Sequence, residues 1–184
     1  DKVCFTLQSK NRNPENLKGM PHRNVLDVVM TYYVPIEDEE IGKGTIAVLN
    51  SHIESWGVTE ADLYEAARRN TPVLVPGRIM PMEKVLMRVM GRDFSEEDCD
   101  LQCGEHPMLV VSNRDCIKGA AAILYEGVAD KIAKAFGGDF FIIPSSIHEC
   151  LVLPATEVSG DDLRYMVCDV NRTQVPPMDV LSDS

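Results

Sequence analysis

The fold class follows from one stretch, residues 25–34, whose sequence is VLDVVMTYYV. It is rich in β-branched and aromatic residues, and every second position is apolar: Leu26, Val28, Met30, Tyr32 and Val34. Because successive side chains of a strand point to opposite faces, this spacing predicts a strand with one fully buried face. An acidic turn at residues 37–44 leads to a second strand at residues 45–49, so the two strands are expected to form a hairpin.

Capping residues and helical periodicity indicate where the helices lie. A short helix that contains Trp56 on its apolar side is expected to end at Gly57, with the indole in the core. Thr59 and Asp62 have the spacing of a capping box, so a second helix should begin at Thr59 and end near Pro72. Three more helices are predicted at residues 82–90, 128–136 and 160–170, and the apolar stripe of the first of these should face the core.

Apolar runs at residues 108–112, 120–124, 140–143 and 150–153 predict four further strands. The order of strands and helices contains few βαβ crossovers, which favours an α+β fold. We expect a mixed, largely antiparallel sheet with about four to five helices packed on it. No repeat or long linker divides the chain, so residues 1–184 are predicted to form a single domain.

Composition excludes several classes of protein. The 184 residues carry a net charge of −11, and no basic cluster interrupts the acidic excess. Nucleic acid and anionic membranes are therefore not expected as partners. Cys4, Cys150 and Cys168 lie in apolar stretches, as buried free thiols do, which favours a reducing, cytoplasmic location. Because the first residue is Asp rather than Met, we expect a fragment of a longer chain whose N-terminal region is missing.

The loop between the last two predicted strands carries the first candidate site. Ser145, Ser146, His148 and Glu149 place hydroxyl, imidazole and carboxylate groups within five residues. In an extended chain Ser146 and His148 would share a face and Glu149 would point away, so the loop is not a complete triad. The acid would have to come from elsewhere, and Asp27 and Glu126 are the candidates. Alternatively, these side chains satisfy loop backbone groups or contact a ligand or partner.

A second candidate site lies in a polar, acidic stretch. Cys99, Cys103 and His106 are three soft ligands within eight residues, and Cys116 or Asp100 could complete a zinc site. The alternative is a surface loop with two exposed thiols or a reversible disulfide. No other cofactor is predicted, because the chain contains no glycine-rich phosphate loop of the Walker or dinucleotide type.

Several blocks along nearly the whole chain resemble one family. They are residues 22–33 (HRNVLDVVMTYY), 56–64 (WGVTEADLY), 70–72 (NTP), 119–125 (GAAAILY), 144–149 (PSSIHE), 170–171 (VN) and 180–183 (VLSD). In this order they are similar to the bacterial proteins grouped as domain of unknown function 5688, found mainly in gut-associated Firmicutes. The resemblance implies a cytoplasmic bacterial protein, assigns no activity, and indicates that this chain is the C-terminal two-thirds of the family's sequence.

Two functions are expected from these observations. The first is a non-catalytic binding or regulatory module that contacts a protein or small molecule through residues 144–149 and the helix at residues 59–69. The second is a hydrolase or transferase that uses His148 as a general base near Ser145 or Ser146. A structural zinc at Cys99, Cys103 and His106 is a further hypothesis.

Overall fold

A computed structural model describes residues 2–11, 14–38, 42–91, 101, 107–156 and 159–183. The predicted α+β class is confirmed, and the strands form two antiparallel sheets rather than one. The chain divides into two compact units, Asp1–Pro76 and Gly77–Ser184. None of the helices in the described ranges is long and apolar enough to cross a membrane.

The first unit is built around one long strand. Its elements are β1 (Cys4–Ser9), α1 (Pro14–Lys18), β2 (His22–Val25), β3 (Val28–Asp38), β4 (Gly42–Ala47), α2 (Asn50–Trp56) and α3 (Glu60–Leu74). Strand β3 pairs with β1, β2 and β4, so the predicted hairpin is confirmed. The buried residues of β3 begin at Val28, however, because the chain reverses between β2 and β3. Leu26, predicted to be buried, is 95% exposed in that turn.

Helix α3 begins where the sequence predicts but ends later than predicted. The Thr59–Asp62 capping box is present as predicted, but the expected end at Pro72 is wrong, because the helix continues to Leu74. Proline removes only one backbone donor from a helix. The buried hydroxyl of Thr71 donates to Ala67 O at 2.5 Å and accepts from Phe5 N at 3.1 Å, which ties this last turn to β1.

The second unit is a four-stranded antiparallel sheet, with strand order β5-β6-β8-β7. Its elements are β5 (Gly77–Pro81), α4 (Met82–Val89), β6 (Leu109–Asn113), a 3₁₀ helix (Gly119–Leu124), α5 (Val128–Phe136), β7 (Phe140–Ile143), β8 (Cys150–Pro154) and α6 (Gly160–Thr173). All five residues of β6 are buried, so the core of this unit lies along that strand. Helix α5 ends at Gly137, which has the left-handed conformation typical of a C-terminal cap.

Three predictions about burial or element type are wrong. Residues 120–124 are not a strand but most of the buried 3₁₀ helix, because a short apolar run does not distinguish a strand from a buried helical turn. The apolar stripe of α4 is not in the core: no residue of α4 is buried, and Val89 is 82% exposed. Trp56 is half exposed and stacks on His52 at 5.5 Å between ring centroids. Periodicity identifies a face of a helix, but it does not show what covers that face.

Candidate functional site

Three segments of the second unit meet at the loop of residues 144–149. Ile147 N donates to Asp179 O at 2.8 Å, in the segment that follows α6. Ile147 O accepts from Ala120 N at 3.2 Å, and His148 O accepts from the Ser112 hydroxyl at 2.8 Å. The loop predicted to carry the site is therefore half-buried and held on two sides. We call the surface formed by residues 113–119, 144–149 and 176–179 the His148 surface.

The ring of His148 lies between the turn that contains Lys118 and the segment that contains Asp179. Its Nδ1 accepts a hydrogen bond from Lys118 N at 3.2 Å, and its Nε2 lies 3.6 Å from Asp179 Oδ1. Because Nδ1 acts as the acceptor, a neutral ring carries its proton on Nε2, facing the carboxylate. The acid that the structure places beside the ring is Asp179, rather than the candidates Asp27 and Glu126.

Ser146 makes two hydrogen bonds within its own loop. Its hydroxyl accepts from His148 N at 3.0 Å, and its own backbone N donates to Glu149 O at 3.2 Å. Residues 146–149 thus form a closed turn rather than an extended segment. This hydroxyl caps a backbone group of the turn, which is a common structural use of serine in loops. The nearby Ser145 uses its backbone N to bond Ile143 O at 2.9 Å.

The segment between β6 and the 3₁₀ helix is a strained turn. Asn113 holds it, since its side chain donates to Ile117 O at 2.6 Å and accepts from Ile117 N at 3.2 Å. Cys116 and Lys118 both adopt left-handed backbone conformations, with φ of 54° and 53°. Such conformations are unfavourable for residues with a side chain and persist only where the surroundings impose them.

Gly119 stands at the closest approach between this turn and the 144–149 loop. A Cβ atom at this position would lie 2.5 Å from Asn113 N and 2.7 Å from His148 O, and would also overlap the Ser112 hydroxyl. Two of these three neighbours are backbone atoms, which cannot rotate away. The loop can therefore pack against β6 only if residue 119 has no side chain.

The segment after α6 is fixed by its buried end. Val180 and Leu181 are each only 1% exposed, and Asn171 donates to Ser182 O at 2.6 Å. Asp179 N donates to Pro176 O at 2.8 Å, closing a turn that presents the Asp179 carboxylate to His148. Met178, inside this turn, is 79% exposed.

The predicted metal ligands Cys99, Cys103 and His106, together with Asp100, lie outside the described residues. Cys116, the other proposed ligand, is an exposed free thiol. Among the residues that the structure does describe, no group of three or more His, Cys, Asp or Glu side chains could hold a metal ion. The zinc hypothesis stays a prediction.

The first unit contains a charged cluster that the sequence analysis missed. Arg23 makes two hydrogen bonds to Glu60, at 3.1 and 3.0 Å, and lies 3.8 Å over the ring of Tyr64. The buried Tyr32 hydroxyl also donates to Glu60, and burial, together with this bond, raises the pKa of Tyr32. Burial disfavours the charged form of Glu60, but the hydrogen bonds from Arg23 and Tyr32 outweigh that effect and lower the pKa of its carboxyl group. Glu60 of α3 thus bonds Arg23 of β2 and Tyr32 of β3, so the cluster joins α3 to the sheet.

Comparison with known proteins assigns the chain to a family. A family model described as a family of unknown function (DUF5688) matches residues 1–184. The match covers the whole chain and gives no support to the expectation that the chain is only the C-terminal two-thirds of the family's sequence. No curated protein and no solved structure matches the chain.

Proposed function

The chain belongs to the DUF5688 family, and from its geometry we propose that it is a non-catalytic, cytoplasmic binding module. The His148 surface contacts another protein. The observation that carries this proposal is the arrangement of His148: one ring nitrogen accepts from Lys118 N, and the other faces Asp179. A general base needs a free nitrogen within hydrogen-bond distance of the proton that it removes. Here the ring instead joins two segments of the surface.

The exposed residues of the surface favour a protein partner. Ile117 is 62% exposed and adjoins Lys118, while Met178 is 79% exposed and adjoins Asp179. Both apolar side chains therefore stand on segments that contact the same histidine ring. Methionine adapts its shape to a partner, and apolar side chains surrounded by polar groups are typical of protein interfaces. The cytoplasmic location is supported by Cys4 and Cys150, whose thiols are buried and free. Cys168, expected to be buried like them, is exposed.

Charge-introducing variants test the proposal. We expect Ile117→Asp and Met178→Asp to lose a protein that co-purifies with the full-length wild type from its own host, as measured by native mass spectrometry. Tyr165→Asp is the matched control, because Tyr165 is 83% exposed on α6 and lies outside the proposed surface. If the two variants retained every partner that the control retains, the proposal would be wrong.

Asp179 favours a second candidate function. A catalytic triad consists of a nucleophile, a histidine and an acid, and His148 with Asp179 would supply the last two. Ser145 and Ser146, on the same loop as His148, are the candidate nucleophiles. In a hydrolase or transferase, His148 would remove the proton of a serine hydroxyl once the ring had left Lys118 N. A fluorophosphonate probe separates the two functions. Labelling of Ser145 or Ser146 in the wild type, and its loss in His148→Gln, would support catalysis.

Two further predictions have tests of their own. The helix at residues 59–69 belongs to the first unit, and its part in binding stays a prediction. For zinc at Cys99, Cys103 and His106, the test is chelation. A structural zinc stabilises the fold directly, so EDTA should lower the thermal midpoint if the site exists.

A further inference from the structure

We infer that protonation of His148 breaks a contact within the proposed binding surface. We call this contact, the hydrogen bond from Lys118 N to His148 Nδ1, the latch. Protonation of Nδ1 would detach Lys118, at the end of the turn, from the 144–149 loop, while the contact with Asp179 would persist. The existence of the latch follows from hydrogen-bond geometry alone. Only its consequence for binding rests on the proposed function.

The closed state requires a neutral ring. Lys118 N–H points at Nδ1 at 3.2 Å, and this bond needs the lone pair of that nitrogen. The ring proton is then on Nε2, on the side of Asp179. A second proton has only Nδ1 to occupy, so protonation turns the acceptor of the Lys118 bond into a donor. Two N–H groups would then face each other.

The same proton strengthens the opposite contact. At 3.6 Å the Nε2–Oδ1 pair is too long for a good hydrogen bond, but a charged ring and a carboxylate at this distance attract each other. Protonation therefore draws the ring towards Asp179 as it repels the Lys118 N–H. The histidine exchanges one partner for the other.

The bonds that remain determine how far the turn is released. Two other hydrogen bonds hold the loop, one from the Ser112 hydroxyl to His148 O and one from Ala120 N to Ile147 O. They involve only a hydroxyl and backbone groups, none of which titrates where histidine does. These bonds hold the loop to β6 and to the 3₁₀ helix in both states. Asn113 also keeps both of its bonds to Ile117, because an amide side chain does not titrate. Release is thus confined to Lys118, whose left-handed φ of 53° can relax once the bond to the ring is broken.

Charged residues stand on all three segments around the ring. They are Asp179 after α6, Glu149 on the loop itself, and Arg114, Asp115 and Lys118 on the turn. The carboxylates favour the protonated ring and the cations oppose it. Asp179 is the one with a defined contact to the ring, at 3.6 Å from Nε2. Because Lys118 adjoins the exposed Ile117, its release changes the binding surface next to that apolar side chain.

Amide hydrogen exchange of the full chain, measured by NMR, tests the latch without any partner. Between pH 8 and pH 5, the range in which histidine side chains change charge, the protection factor of the Lys118 amide should fall by about three- to ten-fold, the worth of one hydrogen bond. Protection of the Ala120 amide should not change. An equal fall at both amides would show general unfolding of the region and would overturn the inference, as would constant protection at Lys118.

Two variants assign the effect to the ring and its acid. His148→Asn places a non-titrating acceptor near the position of Nδ1, so Lys118 protection should no longer depend on pH. Asp179→Asn removes the carboxylate that favours the charged ring, so the midpoint of the wild-type change should move to lower pH. A pH dependence unchanged in both variants would contradict the latch. The proposed function would survive that result, since its own test is the loss of a partner.

Discussion

Replacing Gly119 with alanine should destabilise the second unit strongly. The new Cβ would lie 2.5 Å from Asn113 N and 2.7 Å from His148 O, closer than real Cβ contacts ever are, so the loop must move away from β6. That movement breaks or stretches the Ser112–His148 and Ala120–Ile147 hydrogen bonds, each worth about 1 kcal/mol. Overpacking adds about 1–3 kcal/mol. We therefore expect a loss of about 3–5 kcal/mol in the free energy of unfolding if both bonds break.

Urea denaturation followed by circular dichroism measures this loss. Gly138→Ala is the control, because no atom lies within 4 Å of a Cβ built at that position and its φ is not left-handed. A loss below about 0.5 kcal/mol for Gly119→Ala, the range of ordinary surface substitutions, would refute the close approach described above. Trp56 fluorescence, recorded in the same titration, reports on the first unit. Coincident transitions in the two signals would support the single domain predicted from the sequence.

Four further predictions concern other parts of the chain. Tyr32→Phe should lower the free energy of unfolding by about 1–2 kcal/mol in urea denaturation, because the buried hydroxyl donates to a carboxylate, whereas Tyr165→Phe should leave it unchanged. The folded-state pKa of Glu60 is lowered, so its contribution is present above the unfolded value of about 4.3 and is lost as pH falls through the folded value. Glu60→Gln should therefore reduce the acid dependence of stability, and an unchanged pH profile would contradict the cluster. Leu26→Asn should raise stability by up to about 1 kcal/mol, since Leu26 has φ 53° and asparagine tolerates this region better. Iodoacetamide should alkylate Cys116 in the native protein but not Cys150, whose thiol pKa is raised by burial to about 12, and peptide mapping after digestion would show the order.

The sequence predicted those elements whose signals are local. The Thr59–Asp62 capping box, the β3–β4 hairpin and the bounds of α5 at residues 128–136 each depend on residues a few positions apart, and all three are confirmed. The errors arise where tertiary contacts decide. Periodicity in α4 identified an apolar stripe but not its exposure, and the buried alanine run at residues 120–122 suits either a strand or a helical turn.

The candidate site shows the same division between local and long-range information. The composition of the 144–149 loop marked it as unusual, but the partners of the His148 ring lie in two other segments. Asp179 is separated from the ring in sequence by β8 and α6, and Lys118 takes part through its backbone N–H, which every residue except proline has. No residue pattern could therefore have identified that donor. The chemistry of a histidine depends on which groups face its two nitrogens. The sequence could therefore mark His148 as a candidate, but only the fold shows that its ring contacts both segments.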